Sequence, residues 1–236
     1  MNQKKFTLWH RISAVLALLV SAVTYLLTIE PSASFWDCGE FIASSYKLEV
    51  GHPPGNPMFQ LIARFFTMFG DNMHAAVLVN AMSALCSALT IFFLYLTIVW
   101  FVRRMIKPAA DGTYTISQTI AILGSGLVGS LAYCFSDTFW FSAVEGEVYA
   151  MSSLFTAAVF WLMTVWYDRA DRPHSLKWVV LIAFLMGLSI GVHLLNLLMI
   201  PALVFMYYYR IREERPYSFK ELLKIFIVGG GILALV

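Results

Sequence analysis

The sequence predicts an all-α integral membrane protein, and three observations predict that class. Hydrophobic residues make up 60% of the chain and charged residues 13%, with a mean hydropathy of +0.74. Soluble domains carry roughly a quarter charged residues. Apolar runs long enough to cross a bilayer recur along the chain. Basic residues are almost confined to alternate connections between these runs. We predict membrane lipids as partners and no nucleic-acid partner.

The apolar runs predict the membrane-spanning helices in order. Four of them have the length of a single span, namely Ile12–Thr28, His74–Phe101, Ile116–Phe135 and Val148–Tyr167. The fifth run, Trp178–Tyr209, has 32 residues and is interrupted by Gly191 and Pro201. It is too long for one span, so it predicts two short helices that meet near His193–Asn196.

A seventh run begins at Ile225 and reaches Val236 after 12 residues. Residues 1–236 therefore read as one domain with about six complete spans and the start of a seventh. A full crossing needs about 20 residues, so we expect the chain to be the N-terminal part of a longer transmembrane domain, truncated at its C-terminus.

The distribution of basic residues predicts the orientation. With a cytoplasmic N-terminus, only Lys47 and Arg64 of the 16 basic residues lie outside, which leaves 14 inside. This asymmetry is typical of multi-pass proteins, whose cytoplasmic connections are rich in lysine and arginine. The connections that follow the first and third spans then face the periplasm or lumen, with a bacterial inner membrane favoured. A signal peptide cleaved after Ser32–Ser34 is the alternative, but the long apolar run favours an uncleaved anchor.

The longest outer connection runs from Glu30 to about Met73 and contains a predicted amphipathic helix. Its apolar residues recur at helical spacing, at Met58, Leu61, Ile62, Phe65, Phe66 and Phe69. This pattern favours a helix that lies in the membrane interface. A helix packed against the other spans fits the pattern equally well.

Two carboxylates precede that helix. Asp37 and Glu40 are three residues apart, so a helical turn places both on one face. An Asp-x-x-Glu capping box at a helix start is the structural alternative. Trp36 and Phe41 flank the pair and predict apolar surroundings, which would raise a carboxylate pKa towards that of a useful general base.

A constrained turn, His52-Pro53-Pro54-Gly55-Asn56-Pro57, follows the carboxylates. Three prolines and one glycine restrict this segment, which either reverses the chain or presents His52 and free backbone amides to an anionic group.

Polar groups also occur in two later segments. The second outer connection carries Glu145 and Glu147, which are either a solvated acidic loop or partner carboxylates and metal ligands for the first loop. His193 and Asn196 lie at the predicted helix break, where interhelical hydrogen bonding is the alternative to ligand binding.

Four segments together resemble the N-terminal part of the GT-C membrane glycosyltransferases, in particular the protein O-mannosyltransferase-like family. They are W-D-C-G-E-F at 36–41, H-P-P-G-N-P at 52–57, E-V-Y-A at 147–150 and G-x-H-x-x-N at 191–196. The resemblance implies a GT-C-like helical bundle. It also implies transfer of a sugar, with mannose one candidate, from a lipid-phosphate-linked donor to a hydroxyl of a protein or glycan acceptor. Members of the family are much longer, so activity of this part alone is not implied.

The resemblance also implies roles for residues. An acidic residue of the first outer loop acts as the base, which corresponds to Asp37, with Glu40 beside it. We assign substrate contacts to eight further residues: Trp36, His52, Asn56, Glu145, Glu147, Tyr149, His193 and Asn196.

The departing lipid phosphate needs positive charge, which few outer residues provide. No metal-ligand set is assigned from the spacing. A divalent metal on Glu40 or Glu147, or an arginine from the rest of the protein, would supply the charge. A transporter with a broken helix near 187–201 and a non-catalytic membrane subunit are the other classes that the sequence leaves open.

Overall fold

The computed structural model describes residues 2–212 and 218–235, and the described residues form helices and no strands. Two positions used above, Arg215 and Val236, lie outside the described residues. The α-helices are α1 Gln3–Leu27, α2 Cys38–Lys47, α3 Pro57–Thr67, α4 Ala75–Met105, α5 Ile116–Cys134, α6 Asp137–Ala143, α7 Val148–Tyr167, α8 Leu176–Ile190, α9 Ile200–Ile211 and α10 Phe219–Leu235. Two short 3₁₀ helices, Asn72–His74 and Leu194–Met199, precede α4 and α9.

Five helical segments are long and apolar enough to cross a membrane among the described residues: Gln3–Leu27, Asn72–Met105, Ile116–Cys134, Val148–Tyr167 and Leu194–Ile211. The all-α, multi-span prediction is therefore confirmed. The predicted break in the long fifth run is also confirmed, because α8 ends at Ile190 and the next helical turn starts at Leu194. The last helix, α10, begins at Phe219 rather than at Ile225.

Helix α4 lies at the centre of the bundle and packs against α1, α5 and α7. Small residues allow the close approach to α5. A Cβ on Gly126 would lie 2.6 Å from Val99 and 2.8 Å from Tyr95, so the α4–α5 contact depends on that glycine. On the other flank, the Tyr25 hydroxyl of α1 donates to the carbonyl of Cys134 at the end of α5 over 2.9 Å.

The connections that carry the predicted site meet at one end of the bundle. Glu30 N donates to Val144 O over 3.1 Å, and Asn80 Nδ2 donates to the carbonyls of Glu30 and Ser32. At the opposite end, ion pairs join Arg104 to Asp168 and Arg210 to Asp171. The fold thus brings the first and second outer connections together.

Helix α3 combines both alternatives stated for it. Phe59 and Ala63 are fully buried against neighbouring helices, and Arg64 donates to the carbonyl of Tyr46 over 2.7 Å. On the opposite face Leu61 and Phe65 are exposed. One face of α3 therefore packs on the protein, while the other presents apolar side chains outward.

Candidate active site

A cavity of about 260 Å³ lies where the outer connections meet the ends of the spans. Three parts of the chain form its walls: the first outer connection, the start of α7, and the break between α8 and α9. The predicted site residues in these walls are Asp37, His52, Asn56, Glu147, Tyr149 and His193. The fold thus unites six of the ten predicted residues, which are separated by more than 150 positions in the sequence.

Asp37 is the residue before α2, and its side chain makes no capping hydrogen bond. The capping box that competed with a functional interpretation is therefore not formed. The carboxylate is 57% exposed and faces the cavity region beside His52. The preceding Trp36 has a φ of 64° and is 89% exposed, outside the cavity walls.

Glu40 lies one turn further into α2 and holds the His52 segment. The His52 backbone amide donates to Oε1 of Glu40 over 2.6 Å, and His52 Nδ1 lies 3.1 Å from Oε2. These bonds, led by the backbone one, hold the pKa of Glu40 below its ordinary value. The same side-chain bond raises the pKa of His52. The expected rise in pKa from apolar surroundings is therefore wrong for Glu40, because the carboxylate is exposed and hydrogen-bonded.

Three side chains of this region form a compact donor cluster. Ligating atoms of Asp37, Glu40 and His52 all lie within 4.8 Å of one another, and His52 Nε2 is 4.0 Å from Asp37 Oδ2. Two carboxylates and one imidazole are suitable ligands for a divalent metal ion.

The proline-rich turn is docked onto the helix break. Gly55 adopts a φ of +85°, and its amide donates to His52 O over 2.9 Å. At the start of α3, the amides of Met58 and Phe59 both donate to the carbonyl of Gly191, at 2.8 and 3.3 Å. The prediction of free amides for an anion is therefore wrong for these two groups, because Gly191 already accepts their hydrogen bonds.

The two glutamates of the second outer connection are buried. Glu145 and Glu147 are 5% and 6% exposed, and Cys38 Sγ donates to Glu147 Oε1 over 3.4 Å. Burial raises the pKa of both glutamates. The alternative of a solvated acidic loop is therefore wrong for this pair. Glu147 lines the cavity, whereas Glu145 is not part of its walls.

His193 and Asn196 play different parts at the helix break. His193 Nδ1 accepts from Leu195 N over 3.1 Å, which leaves Nε2 as the protonated ring nitrogen, and the ring lies 5.5 Å from that of Tyr149. Asn196 is fully buried, donates to Ser189 over 2.7 Å and accepts from Thr156 over 3.2 Å. Asn196 therefore joins α7 and α8 behind the cavity wall, as its interhelical alternative predicts.

Sequence reasoning missed a groove of about 650 Å³ that begins one turn below the cavity. Tyr149 borders the cavity, and Ser152 and Ser153 on the next turn of α7 border the groove. The groove is mainly apolar and lies between α4, α5, α7 and the segment that leads into α9. No single helix shows a pattern for it, because four separate segments form its walls.

The fold and the site together define a polytopic helical membrane protein with a carboxylate-lined cavity at one end of its spans. The family model described as the protein O-mannosyl-transferase TMEM260 N-terminal domain matches residues 37–216. The chain belongs to this family. The match covers both loops that form the cavity.

Two curated proteins show the same likeness. Protein O-mannosyl-transferase tmem260 of Dictyostelium discoideum is 27% identical over 194 residues, which is 78% of this chain and 21% of that protein. Protein O-mannosyl-transferase TMEM260 of Mus musculus is 25% identical over 218 residues, which is 90% of this chain and 28% of that protein. The chain thus spans little more than a quarter of either relative. No solved structure matches it.

Proposed function

We propose that this chain forms the catalytic end of a glycosyltransferase that moves mannose from a lipid-phosphate-linked donor to a hydroxyl group of a protein. The observation that carries the proposal is the shared cavity, where Asp37 of the first outer connection meets Glu147, Tyr149 and His193. The names of the two relatives support mannose as the sugar and a protein as the acceptor.

Asp37 is the proposed base. Its carboxylate is accessible and makes no capping bond within α2, so it is available to an acceptor hydroxyl. As that oxygen attacks the anomeric carbon, Asp37 takes the hydroxyl proton. The bond from the anomeric carbon to the phosphate oxygen breaks, and the lipid phosphate departs with the electron pair.

Glu40 is proposed to position the site. It binds both the backbone amide and the ring of His52, and His52 in turn lies beside Asp37. Because a base works only within hydrogen-bond reach of the proton, this pair has to hold the geometry around Asp37.

The apolar groove supports a lipid-linked donor. It continues from the cavity along α7, at the depth of the membrane-spanning segments. A sugar phosphate in the cavity would then leave its hydrocarbon tail beside the groove rather than in water. A transporter or a non-catalytic subunit needs neither the accessible Asp37 nor a tail groove that opens at the cavity.

Replacing the proposed base gives the most direct test. In the full-length protein, Asp37→Asn keeps the size of the side chain but cannot take a proton. Loss of a general base typically costs about 10²–10⁴-fold in rate. We therefore expect mannosyl transfer from a polyprenyl-phosphate donor to fall by that factor while donor binding and the melting profile persist.

Asp71→Asn is the matched control, because Asp71 is also an exposed outer carboxylate beside a histidine but lies outside the cavity. Its transfer rate should equal that of the native protein. A near-native rate for Asp37→Asn would exclude Asp37 as the base.

The orientation can be tested by cysteine labelling. Lys47 and Ala110 are both exposed and lie in connections at opposite ends of the bundle, and the three native cysteines are buried. In intact cells or sealed vesicles of native orientation, an impermeant thiol reagent should label Lys47→Cys and not Ala110→Cys. The reverse pattern would place the cavity on the cytoplasmic side and overturn the outer-face proposal.

A further inference from the structure

The geometry points to a divalent transition-metal site formed by Asp37, Glu40 and His52, with the buried amide of Asn56 beside it. Ions bound by oxygen and nitrogen ligands at about 2.1 Å hold those ligands roughly 3–4.2 Å apart. His52 lies 3.1 Å from Glu40 and 4.0 Å from Asp37, measured from its two ring nitrogens. The exposed side chains need only small rotations to direct one ligand atom each at a single ion.

Asn56 supplies an independent observation. It is 5% exposed, and neither its amide oxygen nor its amide nitrogen has a hydrogen-bond partner among the described residues. Burying such a group without a partner costs about 1–3 kcal/mol. Asn56 lines the same cavity as Asp37 and His52, so its amide is placed to bind the ion or a water molecule that the ion holds.

Gly51 brings that amide close to the cluster. A Cβ at Gly51 would lie 3.3 Å from Glu40 Oε1 and 3.5 Å from Asn56 Oδ1. The two oxygens therefore border the same small space, which stays open because residue 51 has no side chain. Amide and carboxylate oxygens are common ligands of divalent cations.

The local charge favours a cation. Within the described part of the chain, neither lysine nor arginine lines the cavity, whereas Asp37 and Glu147 do. A phosphate group would meet these carboxylates without compensation unless positive charge is brought in. Three protein ligands leave open positions on the ion for such an oxygen. This role for the ion rests on the proposed function, whereas ion binding itself does not.

The imidazole and two carboxylates suit Mn²⁺ and Zn²⁺, and Mn²⁺ is the better probe because its free form gives an electron paramagnetic resonance signal. The full-length protein, stripped with a chelator, is titrated with Mn²⁺ in the absence of any donor. We expect one ion per chain. Because losing even an outer partner of a ligand costs about 10–100-fold in metal affinity, Glu40→Gln and His52→Leu should weaken binding at least tenfold.

Two variants separate coordination from folding. His52→Asp replaces the imidazole by another ligand and should regain much of the binding that His52→Leu loses. His74→Gln removes the exposed histidine that pairs with Asp71 over 2.7 Å, outside the cluster, and should bind Mn²⁺ as the native protein does. Native melting profiles for all three would show that the differences reflect ligation.

Each outcome decides something. Native protein that binds no Mn²⁺ below about 1 mM, the weak end of natural divalent-cation sites, or binds it equally well in Glu40→Gln, overturns the site. Mannosyl transfer that stops on chelation and returns with Mn²⁺ supports the role of the ion. Stoichiometric binding with transfer that resists chelation keeps the site and overturns that role. If Asp37→Asn transfers normally yet binds Mn²⁺ weakly, the base assignment fails while the metal site stands.

Discussion

The two outer connections each contribute a pair of carboxylates, and the pairs differ in environment. Asp37 and Glu40 are exposed, and hydrogen bonds from His52 lower the pKa of Glu40. Glu145 and Glu147 are buried, and that burial raises the pKa of both. Hydrogen bonds from a cationic partner favour the charged form, whereas removal from water favours the neutral form.

The contrast assigns different chemical tasks to the same type of side chain. The exposed pair is suited to hold positive charge or take a proton, because it is already ionised or readily solvated. The buried pair is suited to keep a proton and to support the cavity from behind. We expect variants that separate, neutralise or uncouple the two pairs to show this difference, in decreasing order of effect.

Separating the two connections should have the largest effect on stability. A Cβ on Gly191 would lie 3.0 Å from Met58 Cβ, at the point where α3 docks on the helix break. Gly191→Val should therefore destabilise the protein by about 1–3 kcal/mol, the usual cost of overpacking. It should also displace the His52 turn and reduce mannosyl transfer. Thermal melting in detergent and a transfer assay would measure both effects.

Gly187→Val provides the control on the same helix. A Cβ at Gly187 meets nothing within 4 Å, so this variant changes the same residue type without touching α3. Equal losses for the two variants would contradict the proposed docking role of Gly191.

Neutralising Glu147 should change how stability depends on pH. Its folded-state pKa is raised above the ordinary 4.5, so its contribution to stability is fully present below 4.5 and is lost as pH rises through the folded pKa. Each unit of such a rise corresponds to about 1.36 kcal/mol. Glu147→Gln remains neutral and still accepts a hydrogen bond, so its advantage in melting temperature should grow from pH 4 to pH 8.

The exposed Glu49, which pairs with Lys47 at 3.7 Å, offers a matched comparison. Glu49→Gln should show a nearly constant difference from the native protein over the same pH range. A Glu147→Gln curve that runs parallel to the native curve would argue against a raised pKa for Glu147.

Removing the thiol between the pairs should have the smallest effect. Cys38 lies in α2 with the exposed pair but donates to the buried Glu147. Cys38→Ala removes that bond, at a cost of about 1 kcal/mol, and should raise the pKa of Glu147 further. The pH dependence of the melting temperature should become steeper above pH 4.5.

Cys86→Ala is the appropriate reference, because Cys86 is also buried but belongs to α4 and is part of a different contact set. It should leave the pH dependence unchanged. A steeper curve in Cys86→Ala as well would show that the effect is not specific to the carboxylates.

The local features of the site were predictable from short stretches of sequence. Asp37 and Glu40 fall one helical turn apart, and the segment from His52 to Pro57 forms a constrained turn. Helix α6, Asp137–Ala143, was not predicted, because seven residues between turn-forming segments carry too little periodic pattern.

Burial of polar groups could not be predicted in the same way. Asn56 and Glu147 each follow or precede a recognisable motif, yet nothing local distinguishes them from solvated loop residues. Asn56 is buried because α3 docks on Gly191, which is 135 positions away. Glu147 is buried because α2 packs beside it, 109 positions from Cys38.

The sequence by itself determined the membrane class, the order of the spans and the break after Ile190. These features depend on the length of apolar runs and on glycine and proline, which act through local backbone preferences and transfer from water. The tertiary structure decided which carboxylates stay in water and which are buried, and it placed Asn56 beside the metal-binding candidates. Those outcomes depend on contacts between distant segments, whose energies no local pattern contains.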